Sequence, residues 1–293
     1  MHDLQIGEAA PDFSLPGIDG KTHTLAEYKD AKLLMVAFLS NHCPSSHAIE
    51  GRLKKLLAET KGKGLVFVAI NPNNPSGLSI DELGYSKYND SLEDMKKYAP
   101  ERGFDFPYLY DGETQAVAHS LWLPGHAACV HLRCRAQAAL QGPLRRFEYE
   151  DPATVKSPDA RNAVEALLAG KEVPVATTKP HGCSTKWNSK SSGIAQKMEK
   201  WDKTPVDVEP IDARRAGALR KNGTNKVRLF NVWATWCGPC VQEFPDLVTT
   251  ARKFDLRNFE FITISLDNPR TPTKRRPSWR SAERGCRIAC GNR

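Results

Sequence analysis

The feature that most constrains this chain is an internal repeat. Residues 33–39 (LLMVAFL) form a continuous apolar run of strand length. Residues 48–60 (AIEGRLKKLLAET) place Ile49, Leu53, Leu56 and Leu57 on one helical face, and residues 65–70 (LVFVAI) again read as a strand. The same order returns at 227–233 (VRLFNVW), 241–254 (VQEFPDLVTTARKF) and 259–264 (FEFITI). A gap-free offset of 194 superposes the copies, Cys43 on Cys237, Phe67 on Phe261 and Ile70 on Ile264. Strand–helix–strand calls for a right-handed crossover and a parallel strand pair. The chain therefore reads as two copies of one α/β unit, each with a cysteine at the strand-to-helix turn.

That position carries chemistry. Unpaired N–H groups and the partial positive charge at a helix start favour thiolate over thiol. In W236-C-G-P-C240, two intervening residues let one helical turn hold both sulfurs within bonding reach. Cys237, nearer the helix start, is the expected nucleophile, and Cys240 then resolves the mixed disulfide. Trp236, Gly238 and Pro239 shape the turn, and Pro239 in the first turn gives up no needed N–H. In the first copy Cys43 is followed by Pro44, and Ser46 stands where a second cysteine would complete a pair. Cys43 reads as a monothiol redox site, with a structural free cysteine as the alternative. Cys183, in KPHGCSTKW, is a candidate resolving partner.

The residues LFNVWATWCGPCVQEFPDL resemble the exported or membrane-associated thiol–disulfide oxidoreductases of the thioredoxin superfamily, the TlpA/ResA type. Many thioredoxins hold a buried Asp six residues before the first cysteine; this chain has Asn231 there. The opening GEAAPDFSLPGIDGKTHTLAEYKDAKLLMVAFLSNHCP resembles the AhpC/TSA (redoxin, peroxiredoxin-like) group over about residues 4–120. That resemblance implies Cys43 as nucleophile, with Ser40 as the hydroxyl three residues before a peroxide-reactive cysteine. Val36 replaces the upstream Pro of that pattern. The resemblance also implies a cis-Pro loop and a β-hairpin after the core helix, and Pro124 lies nearest that place.

Two segments depart from the pattern. LWLPGHAACVHLRCRAQAALQGPLRR (121–146) shows no strand alternation and no acid, and RTPTKRRPSWRSAERGCRIACGNR (270–293) is arginine-rich without a period. Both read as stretches translated in a shifted frame, which would make Cys129, Cys134, Cys286 and Cys290 accidental; divergent loops and a basic tail are the alternative. The expected domains are 1–172, a redoxin-like unit; 173–224, a polar linker; 225–269, a partial thioredoxin-like unit; and 270–293, a disordered basic tail. The fold class is α/β, two tandem thioredoxin-like units with a central mixed sheet flanked by helices, the second truncated.

The formal net charge of +8 comes mainly from those two segments, and the rest of the chain is slightly acidic. Nucleic acid is therefore not an expected partner. No apolar run reaches the ~20 residues of a membrane span. The absence of a signal points to the cytoplasm, or to the periplasm or cell envelope should a leader be missing. Eight cysteines in a chain of this size favour catalysis or metal binding over a disulfide framework. The expectation is a thiol–disulfide oxidoreductase with antioxidant capacity and no metal or organic cofactor, served by protein dithiol or disulfide partners or by a peroxide substrate. The rivals are a thiol peroxidase centred on Cys43, a non-catalytic binding module, and a zinc or nucleic-acid protein using the basic tail, with Cys237, Cys240, Cys286 and Cys290 as the zinc ligands.

Overall fold

The computed structural model describes residues 8, 10–120, 129–134, 137–143, 158–175, 182–203, 208–267 and 286–291. The chain forms two units, Met1–Leu78 with Tyr85–Ser191, and Ser79–Gly84 with Ser192–Arg293.

The first unit opens on a two-stranded ribbon, β1 (Ser14–Pro16) and β2 (Thr22–Thr24). It continues through β3 (Leu33–Phe38), α1 (Pro44–Thr60), β4 (Leu65–Asn71), α2 (Leu92–Glu101), β5 (Tyr108–Tyr110) and α3 (Ala116–Ser120). A hairpin of β6 (Cys129–Cys134) and β7 (Gln137–Pro143) and the helix α4 (Asp159–Leu168) complete it. The sheet order is β5-β4-β3-β6-β7, with β3, β4 and β5 parallel and β6 antiparallel to β3. Central β3 is buried on both faces, which explains its unbroken apolar sequence. Leu33, Met35, Ala37 and Leu39 pack with Ile49, Leu53 and Leu56 of α1 and with residues of α2 and α4. Leu34, Val36 and Phe38 face a second layer that includes Phe13, Leu15 and Val117. The period of two in strand side chains thus feeds two cores.

The second unit contains α5 (Ser191–Asp202), β8 (Val208–Ile211), α6 (Ala213–Leu219), β9 (Val227–Trp233), α7 (Gly238–Lys253), β10 (Phe259–Ser265) and β11 (Cys286–Gly291). Its sheet is all parallel in the order β8-β11-β10-β9. The repeat holds residue for residue. Leu33 pairs with Leu65 in the first sheet, and Val227 pairs with Phe259 in the second, each 194 positions on. The backbone bond from Leu33 N to Gly64 O (3.1 Å) recurs from Val227 N to Asn258 O (2.8 Å).

The structure corrects three expectations. Residues 121–146 are not without strands, since β6 and β7 pair there and β6 adds to the edge of β3. The stretch 173–224 is more than a linker. Its first part belongs to the first unit, and α5, β8 and α6 lie in the rest. The segment 270–293 is not disordered throughout, because β11 inserts between β8 and β10. A short parallel strand enclosed on both edges gains its stability from neighbours distant in sequence, so local pattern gave no sign of it. Pro124 lies outside the described residues, which contain no cis peptide bond.

Candidate active site

Each repeated turn sets a cysteine at a helix start. Cys43 is the N-cap of α1 with Pro44 as the first helical residue, and Cys237 is the N-cap of α7, where Gly238 and Pro239 open the helix. The carbonyls of both cysteines accept from the amide four residues on, His47 N and Val241 N, each at 3.1 Å.

Cys237 and Cys240 form a disulfide with Cα atoms 5.3 Å apart. Both residues are half-buried, and Trp236 beside them is 69% exposed. Cys240 packs against the small cluster of Trp233, Phe244 and Val248. At Asn231, which stands where many thioredoxins hold a buried Asp, the side-chain Oδ1 is buried without a hydrogen-bond partner among the described residues. A different acid serves this turn. Asp267, at the end of β10, accepts from Thr235 N (3.1 Å) and Thr235 Oγ1 (2.9 Å) and from Ser265 Oγ (2.8 Å). It therefore anchors the turn two residues before Cys237.

Cys43 is fully buried and is joined to Cys183, with Cα atoms 6.2 Å apart and 140 residues of chain between them. Cys183 is half-buried. The turn that leads into Cys43 is held by a carboxylate that sequence reading did not single out. Asp90 is fully buried and accepts from five donors. These are Ser40 Oγ (3.1 Å), Asn41 N (2.7 Å), His42 Nδ1 (2.5 Å), Asn71 Nδ2 (3.1 Å) and Asn73 Nδ2 (2.9 Å). Burial pushes the Asp90 carboxyl up, but His42 and these hydrogen bonds outweigh it and hold the group below its ordinary range. A buried charge is tolerable only when paired and hydrogen-bonded in this way. Ser40 and His42, three and one residues before Cys43, are thus fixed by one acid. Ser46, the counterpart of Cys240, instead accepts a bond from Ser40 N (3.2 Å).

The segment bearing Cys183 is tied down from two sides. Lys186 N donates to Asn73 Oδ1 (2.9 Å), and Asn74 N donates to Lys186 O (2.9 Å). Gln115 Nε2 donates to Lys186 O (3.0 Å), while its Oε1 accepts from Asn188 N (2.8 Å). Trp187 stacks on His119 at 4.3 Å between ring centroids. Cys129, Cys134, Cys286 and Cys290 lie on β6 and β11, whose side chains are outside the described residues. Among the described residues no group of three His, Cys, Asp or Glu is arranged to hold a metal, and no helix is long and apolar enough to cross a membrane.

Comparison with known proteins agrees with this architecture. The AhpC/TSA family model matches residues 6–136, and the Redoxin model matches residues 217–281. A hypothetical protein from Sinorhizobium meliloti 1021 is 32% identical, with a TM-score of 0.56, over 64% of this chain and 97% of its own. An uncharacterized conserved protein from Geobacillus kaustophilus is 33% identical, with a TM-score of 0.56, over 63% of this chain and 93% of its own. Thioredoxin of Ictalurus punctatus is 32% identical over 63 residues, 22% of this chain and 57% of that protein, so the chain spans little more than half of that relative. Two α/β units in one register, each with a cysteine capping its core helix, carry the AhpC/TSA and redoxin signatures in succession, and the chain belongs to the thioredoxin superfamily.

Proposed function

We propose that this protein is a thiol–disulfide oxidoreductase with two redox pairs, Cys237–Cys240 and Cys43–Cys183, supplied with electrons by a partner dithiol protein. The observation that carries the reading is the Cys237–Cys240 pair, half-exposed on the first turn of a 16-residue helix. In the reduced form the helix start favours the Cys237 thiolate. That thiolate attacks a substrate disulfide, forming one S–S bond and releasing one substrate thiolate. Cys240 then attacks Cys237, closes the intramolecular disulfide and releases the second substrate thiolate, so two electrons pass to the substrate. A dithiol donor returns the pair to its starting state.

Dithiothreitol-driven reduction of insulin tests this. Wild type should accelerate the reaction, and Cys237→Ser should fall to the rate of dithiothreitol alone. Equal rates for the two proteins would remove Cys237 from the mechanism.

The pairing of Cys43 with Cys183 supports a second reading, a thiol peroxidase. Cys43 thiolate would take one oxygen from a hydroperoxide, giving a sulfenic acid and an alcohol. The Cys183 thiol would then close the disulfide with loss of water. Peroxide consumption lost in Cys43→Ser and kept in Cys237→Ser would favour this reading.

A further inference from the structure

Asn73 joins the two halves of the first redox pair. Its side chain is fully buried and reaches in two directions. Nδ2 donates to Asp90 Oδ2 (2.9 Å), the carboxylate that also fixes Ser40, Asn41 and His42 ahead of Cys43. Oδ1 accepts from Lys186 N (2.9 Å), three residues beyond Cys183. One amide therefore hangs the Cys183 segment from the acid that positions the Cys43 turn. Gln115 grips the same segment as well, its Nε2 donating to Lys186 O and to Pro72 O and its Oε1 accepting from Asn188 N, with no hydrogen bond to Asp90 among the described residues. Gln115 has φ 57°, a left-handed conformation that non-glycine residues adopt only under constraint.

We infer that Asn73 and Gln115 are positioning residues for the Cys43–Cys183 pair. They hold the Cys183 segment over Cys43 in the dithiol state and so set how readily the disulfide closes. This rests on the reading of Cys43–Cys183 as a working redox pair. The linked reaction is the disulfide plus two glutathione thiols in exchange for the protein dithiol plus glutathione disulfide. Two sulfurs held in register close more favourably than two that must first be brought together. Each anchoring bond contributes to that equilibrium, and none of them takes part in the sulfur chemistry.

The experiment equilibrates the full chain in glutathione buffers of graded ratio, quenches with acid, alkylates free thiols and quantifies the Cys43–Cys183 disulfide by peptide mass spectrometry. Asn73→Ala should shift the midpoint toward the dithiol by about tenfold, about 30 mV. Gln115→Asn keeps a residue that tolerates the left-handed backbone but shortens its reach, and it should shift the midpoint in the same direction. Thr60→Ala removes a buried hydroxyl that bonds only within α1, and it should lower stability without moving the midpoint. A wild-type pair that titrates while both positioning variants coincide with it would overturn the inference and leave the redox reading standing. A wild-type pair that stays wholly oxidised or wholly reduced across all ratios would overturn the redox reading and the inference with it.

Discussion

β3 and β9 are equivalent strands of the repeat, paired in the same register with β4 and β10, yet they occupy opposite environments. Leu33 and Phe38 are 0% exposed, whereas their counterparts Val227 and Val232 are 68% and 56% exposed. In the first sheet β3 is interior, flanked by β4 and β6, with packed layers on both faces. In the second sheet β9 is one of the two outer strands among the described residues, and its cluster there is Trp233, Phe244 and Val248. The cysteine turns follow the same division. Cys43 is buried and follows a turn held by a carboxylate with five donors, and Cys237 is half-exposed and follows a turn held by a smaller network around Asp267. The difference shows that an apolar strand specifies a core only when other segments supply the layers that cover it.

The largest effect that would sharpen this comparison concerns the disulfides. The Cys43–Cys183 bond closes 140 residues of chain and Cys237–Cys240 closes 3. Loop entropy values these bonds at about 5 and about 1.6 kcal/mol. Denaturation followed by hydrogen exchange in each unit should therefore find Cys183→Ser far more damaging to its unit than Cys240→Ser is to the other. Equal losses would break the comparison.

Truncation of equivalent strand residues comes next. Phe38→Ala should cost the first unit about 3–5 kcal/mol through a buried cavity. Val232→Ala, at the matching position, should stay within about 0.5 kcal/mol. A large cost at Val232 would mean that another segment covers β9.

The smallest effect at neutral pH comes from Asp90. Its carboxyl is held below the ordinary value of 3.8, so its contribution is complete above that pH and disappears as pH falls through the lower folded value. Exchange protection of residues 40–43 and 71–73 should fall below about pH 4. Asp90→Asn should flatten that dependence, and an unchanged profile in the variant would assign the acid sensitivity to another group.

Much of the frame was legible in the sequence. The runs at 33–39 and 227–233 and the helical stripe from Ile49 to Leu57 carry local periods, and the constant offset confirmed them against each other. Both cysteine turns followed directly. The joining of Cys43 to Cys183 spans 140 residues and leaves no local period, so Cys183 stood out only as a cysteine in a polar stretch. Asp90 was invisible for a related reason. It lies in YNDSLED, where acids and Ser91 read as helix-start residues, and Ser91 does cap α2 by accepting from Asp94 N. Only tertiary folding brings Asp90 within hydrogen-bonding reach of Ser40 and His42. β8 and β11 were missed because their pairing partners, not their own side chains, make them strands.

The shared register has a practical consequence. A one-residue slip in a strand would turn its inward side chains outward. No slip separates the two copies, so a cut after Leu39 and another after Trp233 fall at closely matched points of the same scaffold. The buried turn and the open turn are therefore candidates for transplantation into each other's position, which would separate what a cysteine owes to its neighbours from what it owes to its helix.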